Sequence, residues 1–74
     1  MTQYRAYIIT ESERAYQLGD NKDPAKIRDK CWLAKSIMPY MRRGPLPALG
    51  DGLREIVFSV ESWKEQDIPF RSIN

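Results

Sequence analysis

Alternation of hydrophobic and polar residues predicts two strands in this chain. The segment YRAYIIT (residues 4–10) is rich in aromatic and β-branched residues, which favour extended structure. In the segment REIVFSV (residues 54–60), Ile56, Phe58 and Val60 fall on one face of an extended chain. We therefore expect a sheet with one apolar face.

Residues 10–19 have two interpretations. Thr10 followed by Glu13 forms a capping box, and Gly19 is a typical residue just after a helix end. The same residues also fit a second strand that follows a turn at 11–12. Local signals slightly favour the helix, and both interpretations stay open.

Residues 24–43 are equally ambiguous. As a strand, this region turns Cys31, Leu33 and Ile37 to one side, whereas as a helix it collects five apolar residues on one stripe. Pro39 excludes one continuous helix, because an interior proline costs about 3 kcal/mol through a lost hydrogen bond and a clash. Two short helices broken near 32–35, or a strand ending near Met38, remain. The residues of the helical stripe are Ile27, Cys31, Ala34, Met38 and Met41.

The remaining segments complete a single domain over residues 1–74. Residues 39–53 contain three prolines and three glycines, which predict a long loop. ESWKEQ (residues 61–66) resembles a short helix that packs Trp63 on the sheet, and 69–74 is an extended tail. We predict an α+β fold, in which one or two short helices cover one face of an antiparallel sheet of about three strands. Those strands are 4–10, one around 30–37, and 54–60.

Composition argues against catalysis. The chain has 74 residues, no histidine and a single cysteine, Cys31. It therefore lacks the commonest general base and has no disulfide or zinc-finger spacing. Ser36 has no histidine partner, so we expect no enzyme activity, no metal and no cofactor. We see no signal peptide or membrane span, and we expect a location in the cytoplasm of a bacterial host.

Charge is unevenly distributed although the net charge is only +2. Residues 22–43 contain seven basic and two acidic residues, whereas residues 51–67 contain five acidic and two basic ones. Such asymmetry favours an anionic partner for the basic segment, nucleic acid included.

Candidate binding residues cluster after the first tryptophan. Tyrosine, methionine and arginine are enriched in protein interfaces, and loops held by a rigid scaffold often carry function. We therefore predict a binding site that comprises Lys35, Tyr40, Met41, Arg42 and Arg43. The two tryptophans, Trp32 and Trp63, are expected to anchor the core of so small a chain.

WLAKS (residues 32–36) and VESW (residues 60–63) resemble motifs of a group of small bacteriophage proteins. Those proteins carry Trp-Leu-Pro-Lys-Ser in one strand and Val-Pro-x-Trp near the end of another. Ala34 and Glu61 replace the two prolines here. The resemblance implies a compact α+β module of phage origin, with no established activity to transfer.

A second resemblance is to winged helix-turn-helix proteins of the excisionase type. Residues 25–49 can be arranged as two short helices followed by an Arg-Arg-Gly turn, and residues 50–60 as the wing. The resemblance implies DNA contacts from Lys35, Ser36, Tyr40, Arg42 and Arg43, the basic ones mainly to phosphate. Pro39 and Trp32 fit this arrangement poorly, so it is the alternative.

The sequence thus favours a non-enzymatic accessory protein of a phage or mobile element that acts by stoichiometric binding. The most concrete form is an inhibitor or modulator of a host or defence protein or nucleoprotein complex, of the anti-CRISPR kind.

Overall fold

The computed structural model describes residues 1–73 and shows one five-stranded antiparallel sheet with strand order β3-β2-β1-β5-β4. The strands are β1 (Thr2–Glu11), β2 (Ala15–Gly19), β3 (Lys30–Ala34), β4 (Tyr40–Arg43) and β5 (Arg54–Val60). Three short 3-10 helices span Pro24–Lys26, Lys35–Ile37 and Ser62–Asp67. None of the helices within residues 1–73 is long and apolar enough to cross a membrane.

The central strand, β1, is shared between two neighbours. Its first part, from Thr2 to Ile8, pairs with β5, and its second part pairs with β2. The register with β2 shifts between Ile8 and Thr10, which places a bulge at Ile9. Because a bulge bends a strand and increases its twist, β1 can serve both halves of a curved sheet.

The core lies on one face of the sheet, which we call the inner face. Tyr4 and Phe58 lie directly opposite each other on β1 and β5, and their rings stack with centroids 5.7 Å apart. Met38 and Ile68, which lie outside the strands, are also buried in this core. The buried hydrophobic residues are Tyr4, Ala6, Tyr16, Leu18, Leu33, Met38, Ile56, Phe58, Val60 and Ile68.

The α+β prediction is wrong, because residues 1–73 contain only 3-10 turns and no α-helix, and the fold is mostly β. The capping box did not form a helix. Ser12 instead closes a tight β1–β2 turn, in which its backbone N–H donates to the Ala15 carbonyl (2.8 Å) and its Oγ accepts from the Ala15 N–H (3.1 Å). The alternation of Tyr16 and Leu18 toward the core outweighs the local helix signal.

The extended interpretation of the first tryptophan region is confirmed, since Lys30–Ala34 forms β3. Residues 24–43 therefore do not contain the two helices that a winged helix-turn-helix requires. The expected packing of both tryptophans in the core is wrong. Trp32 is 53% exposed and Trp63 is 65% exposed. In β3, Leu33 points inward and its neighbour Trp32 must point outward.

The segment 39–53 begins with β4, so that only residues 44–53 lie between strands. This loop is held at both ends: the Gly44 N–H donates to the Glu55 carbonyl (2.8 Å), and the Leu53 N–H donates to the Lys22 carbonyl (2.9 Å). Toward the C-terminus, Ser72 forms a β-bridge with Tyr4, alongside the part of β1 that β2 does not reach. The tail segment therefore packs on the sheet at Ser72.

Candidate functional site

Strand β4 carries four of the five predicted binding residues and divides them between the two faces of the sheet. Tyr40 and Arg42 lie opposite Ser59 and Val57 of β5, on the face away from the core, which we call the outer face. Met41 lies opposite the core residue Phe58 and therefore on the inner side. All four residues of β4 are exposed, because it is an edge strand.

Lys35, the fifth predicted residue, belongs to a different cluster. Its ammonium group forms an ion pair and hydrogen bond with Glu11 and lies 4.8 Å from the centre of the Tyr16 ring. Lys35 therefore helps to connect the end of β3 to β1 and β2. The Lys35 ammonium group is thus already engaged within the fold.

Arg43 joins the same cluster from the other edge of the sheet. Its Nη1 lies 3.8 Å from a carboxylate oxygen of Glu11. The hydrogen bond from Lys35 is the main cause that lowers the pKa of Glu11. Burial, the second-largest effect, raises it, and the charges of Lys35, Arg43 and Arg54 each lower it by a smaller amount. Glu11 is therefore ionised at neutral pH and holds two of the predicted cations.

The structure thus leaves Tyr40 and Arg42 exposed on the outer face, and Met41 exposed between them on the inner side of the same edge strand. Tyr40 is 68% exposed and Met41 is 41% exposed. Arg42 forms no ion pair with any residue in 1–73. An open depression of about 390 Å³ lies beside these side chains, and Gln3, Val57 and Ser59 also line it.

The outer face extends from β4 across β5 to β1. The registers place Arg42, Val57 and Arg5 in one row across three strands. Arg5 is partly neutralised, since its Nε lies 3.4 Å from Glu55. Sequence reasoning did not identify Arg5 or Val57. The alternation of the two strands puts both on the polar side, but only the pairings of β5 with β4 and with β1 bring them beside Arg42.

The backbone of β4 offers hydrogen-bonding groups at its open edge. Because the Gly44 N–H bonds to the Glu55 carbonyl, residues 44, 42 and 40 direct their N–H and C=O groups toward β5. The intervening residues, Met41 and Arg43, must then direct theirs away from β5. Within residues 1–73 no further strand follows on that side.

A larger groove, of about 790 Å³, lies between the loop at 21–26 and the turn at 50–53. It is open, and it contains none of the five predicted binding residues. Gly52 sets its shape, because its φ is +90° and a Cβ there would lie 2.6 Å from the Lys22 carbonyl oxygen.

Cys31 has no feature of a reactive thiol. It packs beside the core on β3, and burial raises the pKa of its thiol to about 11 against a smaller opposing effect of Lys64. A thiol with so high a pKa is almost entirely protonated at neutral pH and is a poor nucleophile.

Comparison of the chain with protein-family models, with curated proteins and with solved structures gives no significant match.

Proposed function

We propose that this chain is a non-enzymatic accessory protein of a bacteriophage or mobile element that binds its target stoichiometrically in the cytoplasm of a bacterial host. The target would be a host or defence protein or nucleoprotein complex, whose activity the chain inhibits or modulates. The binding surface is the β4 surface, which we define as the side chains of Tyr40, Met41 and Arg42 with the adjoining outer face of β5.

One observation carries this proposal: three interface-type side chains stand exposed on a strand that is paired to its neighbour along its length. Tyrosine and arginine are, together with tryptophan, the side chains most enriched among the residues that dominate binding energy. β4 is paired to β5 along its length, and Arg54 Nε donates to the Gly44 carbonyl (2.7 Å) just beyond its end. A strand whose backbone is already ordered by such pairing loses less conformational entropy on binding than an unpaired loop, which favours affinity.

Two features of the sequence support the choice of target. The residues 32–36 and 60–63 resemble motifs of small phage proteins, and phage proteins are synthesised inside a bacterial host. The net charge is +2 and basic residues are concentrated in 22–43, which favours an anionic target such as a nucleoprotein complex.

The proposal is tested by inhibition of purified RNA-guided nucleases that cleave a labelled target duplex. Cleavage should fall linearly as the protein is added and stop at a fixed molar ratio. Replacing Tyr40 and Arg42 together by alanine should raise the amount needed by about 30-fold or more, as expected for two central interface residues. Repeating the titration at two salt concentrations measures how much of the binding depends on phosphate.

Arg71→Ala is the matched control, since Arg71 is an exposed arginine outside residues 22–43 and is next to Ser72, which bridges to β1 and not to β4. It should inhibit like the unchanged protein. Inhibition by a small fraction of an equivalent would contradict stoichiometric binding. Full inhibition by the Tyr40 and Arg42 variant would contradict the β4 surface.

A further inference from the structure

We infer that the open edge of β4 binds an extended, acidic segment of a partner protein as a sixth strand of the sheet. This inference rests on the proposed function and names the chemistry of the segment that the β4 surface recognises. Strand addition to a sheet edge takes its affinity from backbone hydrogen bonds and its specificity from alternate side chains.

The backbone geometry sets the length of the added strand. The N–H and C=O groups of Met41 and Arg43 face the open edge, as the pairing with β5 requires. Pro39 and Pro45 flank the strand and have no N–H to donate. The edge therefore accepts about four or five residues, held by up to four backbone hydrogen bonds.

The side chains of β4 set the chemistry of the added strand. Residues directly opposite each other on neighbouring strands contact one another, and opposite charges there are favourable. Arg42 has no ionic partner within residues 1–73, so an acidic residue opposite it would supply one. An apolar residue opposite Met41 would cover a side chain that is now 41% exposed.

A second copy of this chain is a poor occupant of the same edge. In the antiparallel register that places Met41 opposite Arg43, the two Arg42 side chains lie directly opposite each other and repel. In the register that places Met41 opposite Met41, Arg43 faces Pro39, which cannot donate a hydrogen bond. Charged side chains on a short edge strand oppose such self-pairing in general.

The test uses a labelled heptapeptide, Ser-Thr-Glu-Glu-Val-Thr-Ser, blocked at both ends, whose binding to the full chain is measured by fluorescence anisotropy. Antiparallel addition places its second glutamate opposite Arg42 and its valine opposite Met41. Replacing both glutamates by glutamine should weaken binding about tenfold. Arg42→Glu should weaken binding to a similar extent, whereas Arg71→Glu, the same change at an exposed arginine outside residues 22–43 and outside β4, should alter it less than about twofold.

Methylation of peptide nitrogens separates strand addition from simple charge attraction and leaves the protein unchanged. N-methyl groups on the first glutamate and the valine, whose N–H groups would face β4, should abolish binding. N-methyl groups on the second glutamate and on the threonine after the valine, whose N–H groups would face solvent, should leave most of the binding intact. Equal effects of the two methylation patterns would overturn the inference.

Amide hydrogen exchange gives an independent readout. The amides of Met41 and Arg43 should exchange rapidly in the free protein and slow down when the peptide binds, whereas the Arg42 amide is protected by β5 throughout. Unchanged exchange at Met41 and Arg43 with bound peptide would contradict strand addition. Self-association of the chain through β4, seen by sedimentation without peptide, would identify a second copy as the occupant and also overturn it.

Failure of this inference is distinguishable from failure of the proposed function. Met41→Pro removes an outward N–H, and proline is tolerated on edge strands. Suppose that Met41→Pro folds and still inhibits a nuclease, whereas the Tyr40 and Arg42 variant no longer inhibits it. The β4 surface then acts through its side chains, and strand addition is wrong. If the peptide binds as described but no stoichiometric inhibition occurs, the proposed function fails and strand addition stands.

Discussion

Trp32 and Leu33 are neighbours in β3, and the sheet buries the smaller side chain. Leu33 faces the core beside Tyr16, while Trp32 lies on the outer face beside Gln17. Residue size suggested the opposite arrangement. Successive side chains of a strand point to opposite faces of the sheet, and the register of β3 places Trp32 on the outer face. Composition alone therefore could not identify the core of this protein.

Two glycines with nearly the same backbone conformation allow strain and contact to be separated. Gly50 has a φ of +87° and Gly52 a φ of +90°, but only Gly52 has a neighbour where a Cβ would lie. We expect Gly50→Ala to lower the free energy of unfolding by about 1–2 kcal/mol, the cost of a left-handed conformation for an L-residue. Gly52→Ala should lower it by at least about 1 kcal/mol more, since the new methyl group would clash with the Lys22 carbonyl.

Urea unfolding of the two variants measures the difference. Equal losses of stability would mean that the turn at 50–53 moves away from Lys22 at little cost, and that Gly52 does not fix the groove between the two loops.

The two longest strands, β1 and β5, were predictable as elements, whereas the four-residue edge strand β4 was not. Segments 4–10 and 54–60 alternate over a full strand length, and both were predicted as strands from this pattern. β4 has only four residues, YMRR, whose exposure gives it no hydrophobic pattern. It is a strand because β5 pairs with it, and that pairing is a property of the whole sheet. Its site residues were therefore predicted by type and placed on a loop.

Three elements meet at Glu11, which makes their connection dependent on pH. The pKa of Glu11 is lowered in the folded protein. The contribution of Glu11 to stability is therefore present above its pKa in the unfolded chain and is lost as the pH falls through its pKa in the folded protein. We expect Glu11→Gln to lower Tm at pH 7. As the pH falls below the ordinary pKa of a glutamate in an unfolded chain, about 4.3, the two proteins should converge.

Thermal unfolding followed by circular dichroism between pH 3 and 7 measures this convergence. Glu13→Gln removes the same charge from a residue that forms no ion pair within residues 1–73, and it should stay close to the unchanged protein throughout. A difference between Glu11→Gln and the unchanged protein that is as large at pH 3 as at pH 7 would show that the ion pairs are not its cause.

The whole molecule depends on a small core, which lies on one face of a single sheet. A domain of this size has a free energy of unfolding of roughly 4–11 kcal/mol, so one core residue can decide whether it folds. The prediction of helices on this face was wrong because local capping and turn signals do not reveal how many strands a sheet will gather. The three 3-10 helices and the buried residues Met38 and Ile68 cover the core without an α-helix.

Phe58 and Trp63 test which aromatic residues hold this core. Phe58 is 1% exposed and stacks on Tyr4. Phe58→Ala should lower the free energy of unfolding by about 3–5 kcal/mol, enough to leave much of the protein unfolded at 37 °C. Trp63→Ala should cost less than about 1 kcal/mol, because its side chain is mainly in solvent. Denaturant titrations compare them, and similar costs for the two variants would contradict the assignment of the core.

The pairing of β1 with β5 joins the first strand of the chain to the last one. Thr2 lies opposite Val60, and Ile8 lies opposite Arg54. At ribosomal rates of about 5–20 residues per second, β5 is synthesised roughly 3–10 s after β1, and until then β1 cannot form its longer ladder of backbone hydrogen bonds. During that interval Tyr4 and Ala6 sit on a strand whose hydrogen bonds are open to other chains. Contacts so distant along the chain also make folding slow, so the nascent protein is most vulnerable to aggregation just before its last strand is made.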